Sequence, residues 1–127
     1  MGPTYLIDTA ACSKYIQGLL RLESMTLMSL AVETQSVMSV ITRMELLSWR
    51  TGSKLLDEDI NQFISQSVVH DLTEPIILQT IRIRRQHRTK LPDAVIAATA
   101  IVNGFTLLST NDRDFETIPG LNYQSLN

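Results

Sequence analysis

Short β-prone runs alternate with helical stretches along the whole of this chain, and that alternation restricts the fold more than any other feature. Thr4-Tyr5-Leu6-Ile7 is the first run, ended by Asp8-Thr9. Tyr15, Ile16, Leu19 and Leu20 at helical spacing predict a helix over residues 11–22. Residues 24–32 are rich in Met and Leu and are ambiguous in type, with their apolar side chains expected mainly in the core. Val37 to Ile41 is short and β-branched, as in a buried strand. Thr42-Arg43-Met44-Glu45 then has the form of a capping box, opening a helix through Leu46, Leu47 and Trp49 with Gly52 as its stop. A helix over 57–65 would put Ile60, Phe63 and Ile64 on one face, and 67–72 reads as a strand. Thr73-Glu74-Pro75 starts another helix, with Ile77, Leu78 and Ile81 inward. Lys90-Leu91-Pro92-Asp93 opens an alanine-rich helix over 94–102, closed by Asn103-Gly104. Residues 105–108 are the last clear strand, and a polar turn follows over 109–114. Strand and helix in repeated succession predict a parallel sheet covered on both faces, a three-layer α/β/α architecture in which 1–127 form one domain.

The totals narrow the possibilities further. With 127 residues, 44% of them hydrophobic, the chain can bury a core without staples. The one cysteine, Cys12, excludes an internal disulfide framework and suits a reducing, cytoplasmic setting, buried on a helix. Residues 1–5 have no basic segment ahead of an apolar one, and no apolar run is long enough for a bilayer, so neither a signal peptide nor a membrane partner is expected. A net charge of −2 gives no overall attraction for nucleic acid. Locally the balance differs: Arg82, Arg84, Arg85, Arg88 and Lys90 supply five of the eleven basic residues within nine positions.

The acids carry the chemistry. Asp8 follows the first strand, Glu45 opens the helix after the second, Asp93 lies in the first turn of the alanine-rich helix, and Asp112 and Asp114 follow the last strand. In an open parallel sheet these positions are one edge, where strands end and helices begin and where ligands of such sheets bind. Each acid also has a purely structural use, as a cap, a first-turn residue or a turn former. Those separate uses do not account for a shared edge.

Carboxylates drawn together raise one another's pKa and oppose folding unless a cation neutralises them. An oxygen-only donor set with room for water suits Mg2+, with Mn2+ an alternative, rather than zinc. His70 and His87 have no ligand spacing and read as surface residues. Such a site matches phosphodiester hydrolysis, in which a cation activates water and stabilises charge at phosphorus and the leaving oxygen.

Three segments resemble the PIN-domain family, and in particular its VapC-type toxins. They are Tyr5-Leu6-Ile7-Asp8-Thr9, then Ser39-Val40-Ile41-Thr42-Arg43-Met44-Glu45-Leu46-Leu47, then Leu91-Pro92-Asp93-Ala94-Val95-Ile96-Ala97-Ala98-Thr99-Ala100 continued by residues 107–115 and Ile118-Pro119-Gly120-Leu121. The third is the most specific, and together they span nearly the whole chain in order. The resemblance implies a Mg2+-dependent endoribonuclease acting on RNA, a cognate antitoxin that covers the site, and a homodimer. It implies Asp8 and Asp93 as principal metal ligands and Glu45 as a further acid. For the fourth vertex, Ser109-Thr110-Asn111-Asp112-Arg113-Asp114-Phe115 fits two registers; Asp112, nearer the strand end, is preferred over Asp114. Ala10 departs from the Asn or Ser of many relatives, which removes a usual support of the first aspartate.

Thr9, Ser109 and Thr110 place hydroxyls on the same edge, where they could hold the acids, a phosphate or only the backbone. Arg85, Arg88 and Lys90 are candidate contacts to an RNA backbone leading towards Asp93. Two other classes fit less well. A receiver domain needs paired acids after the first strand and a late lysine, whereas Thr9 follows Asp8 and no lysine lies beyond Lys90. A PIN domain that binds RNA or protein without cutting would not need every acid position filled.

Overall fold

The computed structural model describes residues 2–127. Five strands, β1 (Tyr5–Ile7), β2 (Val37–Ser39), β3 (Val68–His70), β4 (Thr106–Ser109) and β5 (Asn122–Ser125), form one sheet in the order β3-β2-β1-β4-β5. Every pairing is parallel, with Leu6 opposite Val37 and Leu107. The chain steps outward from β1 through β2 to β3, then returns to the other side of β1 as β4. The direction of winding therefore reverses between β1 and β4, which opens a crevice at their carboxyl ends.

Side-chain alternation along the strands divides the core into two layers. Leu6, Val37 and Leu107 point to one face, where they meet α5 (Glu74–Gln86) and α6 (Leu91–Asn103) through Ile76, Ile83 and Ile96. Ile7, Met38 and Leu108 point to the other, against α1 (Thr9–Gln17), α2 (Leu22–Gln35), α3 (Val40–Ser48) and α4 (Lys54–Ser65). This is the expected three-layer α/β/α arrangement. Ala94, Ala97, Ala98 and Ala100 of α6 are fully buried, and small side chains let α6 lie close to α5, its most extensive neighbour.

Several local expectations need correction. The capping box at Thr42 does not form: α3 starts at Val40, and Ser39 Oγ caps it by accepting from Ile41 N–H at 3.1 Å. Helix α1 ends at Gln17 because Gly18 takes a left-handed conformation (φ 70°), so Leu19 lies outside it and is exposed. The ambiguous stretch is helical, as α2, with Met28 and Ala31 in the core and Leu30 exposed. On α5 the inward residues are Ile76, Thr80 and Ile83, whereas Leu78 and Ile81 are about half exposed. The polar turn contains a short helix, α7 (Asp112–Phe115), and the unforeseen β5 follows it. His70 and His87 are half-buried rather than fully on the surface, and His70 sets its ring edge-on to Phe105 at 5.2 Å. Among the described residues no helix is long and apolar enough to cross a membrane.

Candidate active site

Asp8 is the residue at which β1 becomes α1, and it sits beside the end of β4. Its Oδ1 accepts from Ala11 N–H at 2.8 Å and caps α1. The Ile7–Leu108 pairing places Ser109 alongside, and Ser109 Oγ donates to Asp8 Oδ2 at 2.6 Å. Only 2% of Asp8 is exposed. Burial is the main reason its pKa rises from 3.8 to about 6; the two hydrogen bonds oppose the rise, and Asp93 and Glu45 add to it.

A cleft of about 310 Å³ opens at this edge, with Asp8, Glu45 and Asp93 in its wall beside Thr9, Asn111 and Trp49. Glu45 is exposed and steadied by Thr9, whose Oγ1 donates to Glu45 Oε1 at 2.6 Å and lies 3.2 Å from Thr42 Oγ1. Asp93 is half-buried in the first turn of α6, directly after Pro92. Its pKa is raised, first by burial, then by the charges of Asp114 and Glu45, with Lys90 acting against them.

The two candidates for the fourth acid have different surroundings. Asp112 Oδ1 accepts from the Tyr123 hydroxyl at 2.5 Å and Oδ2 from Asn127 Nδ2 at 3.0 Å. These bonds, with one from Ser125, hold its carboxyl below the usual range. Asp112 does not line the cleft. Asp114, exposed on α7, is also outside the wall, yet its charge is felt by Asp93. The Tyr123–Asp112 bond in turn contributes, after burial, to raising the tyrosine.

Of the other expected site residues, only Thr9 lines the cleft. Ser109 is fully buried; its Oγ donates to Asp8 and accepts from Asn111 N–H at 2.8 Å, so it supports the aspartate that Ala10 cannot. Thr110 Oγ1 accepts from Lys14 Nζ at 2.9 Å. Arg88 and Lys90 line a separate groove with Arg84 and His87, and Arg85 is exposed on α5. The sole ion pair among the described residues is Arg21–Glu23, so this basic stripe has no carboxylate partner there. Asn111 lies in the turn expected at this edge but has no sequence signal of its own, whereas Trp49 and Lys14 reach the edge only through the fold.

Oxygen is the only donor type the three wall acids present, which fits a hard divalent cation. Among the described residues no group of three or more His, Cys, Asp or Glu side chains is gathered tightly enough to hold an ion by itself.

A parallel sheet with acids converging at its winding reversal defines an α/β protein whose binding crevice is acidic. The sequence profile of the PIN domain matches residues 5–121, and the chain belongs to that family. Among solved structures, the DNA-bound VapBC of Salmonella typhimurium is similar at 24% identity, with a TM-score of 0.80 over 99% of this chain and 100% of that one. VapBC2 of Rickettsia felis, bound to a promoter DNA fragment, gives 22% and 0.80 over 97% and 98%. A toxin–antitoxin complex from Klebsiella pneumoniae gives 27% and 0.72 over 92% and 94%. Comparison with curated proteins yields no match.

Proposed function

We propose that this chain is a metal-dependent endoribonuclease, the toxin of a toxin–antitoxin pair, with Mg2+ (or Mn2+) held by Asp8 and Asp93 and assisted by Glu45. The observation that carries this reading is the placement of those three carboxylates in one cleft at the winding reversal, two of them with raised pKa. When bound, the cation would polarise water and offset charge on the phosphate. The chain's own groups do the rest. Ser109 and the α1 amide fix the Asp8 carboxylate, Thr9 turns Glu45 towards the cleft, and Lys90 partly offsets the acids at the mouth of α6. Asp114, whose charge acts on Asp93, is the better fourth acid. Arg85, Arg88 and Lys90, which have no carboxylate partner among the described residues, would contact the RNA backbone.

The toxin role draws support from the similar structures, which are complexes of such pairs. By the same reading an antitoxin covers the cleft, the active form is a homodimer, and the protein works in the cytoplasm. The test is cleavage of a cellular RNA pool with Mg2+ and with EDTA. Cleavage should require the cation and fall by at least about 100-fold in Asp8→Asn and Asp93→Asn. Cleavage indifferent to both substitutions would refute the site. Mg2+-independent binding without cleavage would favour a silent RNA-binding domain.

A further inference from the structure

The acidic cleft contains one feature that hydrolysis alone does not use. Trp49, the chain's single tryptophan, is the C-cap of α3, four residues after Glu45 and on the same side of the helix. It packs partly against the core layer of Ile7, Met38 and Leu108. The remainder of this half-buried side chain lines the cleft with Asp8, Glu45 and Asp93. A ring wedged in this way is already ordered, so a ligand that meets it loses little side-chain entropy. The surroundings also matter. Three carboxylates repel a phosphodiester, so attraction at this spot has to come from a cation or from an uncharged contact. A flat, neutral indole provides the second, and nucleobases stack on such rings.

We infer that Trp49 is a stacking platform for a nucleobase next to the scissile phosphate, and that it selects RNA in which that base is splayed out of its own stack. The inference rests on the ribonuclease reading for the phosphate's position; the stacking itself is separately measurable. A single tryptophan makes its emission a direct report. The intact protein in EDTA would be titrated with an unstructured oligoribonucleotide and with an abasic ribose-phosphate oligomer of equal length. The intact oligomer should quench the emission saturably, and the abasic one should bind roughly 5- to 150-fold more weakly. Trp49→Ala should weaken oligomer binding and raise KM by a similar factor, while Trp49→Phe should restore most of both. Circular dichroism verifies that each variant folds, and the titration of the unaltered protein needs no variant.

Equal quenching by the two oligomers would overturn the platform, as would unaltered binding in folded Trp49→Ala. Quenching confined to the intact oligomer, with no Mg2+-dependent cleavage, would refute the nuclease reading and keep the platform. Cleavage with no quenching would do the opposite.

Discussion

Both carboxylate oxygens of Asp8 are engaged, one by the α1 amide and one by Ser109, and each retains a lone pair directed elsewhere. The helix cap suspected as a rival use of this residue is therefore real, and it is also what orients the acid. Capping therefore does not compete with the proposed ligation. At the next vertex the residue scale separates two neighbours that look equivalent in sequence. Asp112 is nearer the strand end, the reason to prefer it, but its carboxylate is turned to Tyr123 and Asn127, whereas Asp114 is the one whose charge raises Asp93. No pattern in Asn111-Asp112-Arg113-Asp114 announces this, because both partners come from the unforeseen β5 and the residues after it. Asp114→Asn should reduce cleavage about 10- to 100-fold without lowering the urea midpoint. Asp112→Asn should lower the midpoint, since one uncharged oxygen then replaces the two that accept from Tyr123 and Asn127. The reverse pattern in paired activity and denaturation measurements would restore Asp112 as the fourth acid.

At the scale of elements, legibility followed apolar patterning. Strands β1 and β4, apolar and central, could be read directly, as could α6 with its proline start and glycine stop. Strand β5 could not: Asn122-Tyr123-Gln124-Ser125 is mostly polar, as befits a sheet edge, and it exists through its pairing with β4. The apolar spacing of α5 does not give its phase because Thr80 occupies the inward face, where its hydroxyl donates to Ile76 O at 2.8 Å and needs no other partner. Val40 and Ile41 look like strand continuation, but Ser39 stops β2 and caps α3, and so sets where Glu45 projects. The alanine face of α6 gives a prediction of its own. Ala97→Leu should cost roughly 1–3 kcal/mol by overpacking against its neighbours. Denaturant unfolding would measure it, and a loss below about 0.5 kcal/mol would show that the helices have slack.

For the molecule as a whole, burying an acid at the sheet edge makes stability depend on pH with an unusual sign. Asp8 has a folded pKa of about 6 against 3.8 ordinarily, so the folded chain holds this proton more tightly than the unfolded one. The favourable contribution is present below 3.8 and is lost as pH rises to about 6, at a cost of about 3 kcal/mol. Asp93, raised as well, acts in the same sense. Urea midpoints at pH 4.5 and 7 should therefore differ less in Asp8→Asn than in the unaltered chain. If the proposed cation binds, Mg2+ should restore stability at pH 7 in the latter alone. An identical pH slope in both proteins would show that Asp8 is not the strained group. One turn beyond Asp8, Cys12 is fully buried against the sheet, and burial pushes its thiol well above the usual value. A chain whose one thiol lies beneath its acidic edge can be timed by alkylation. Iodoacetamide would register each separation of α1 from the sheet, and so clock how often that edge comes apart.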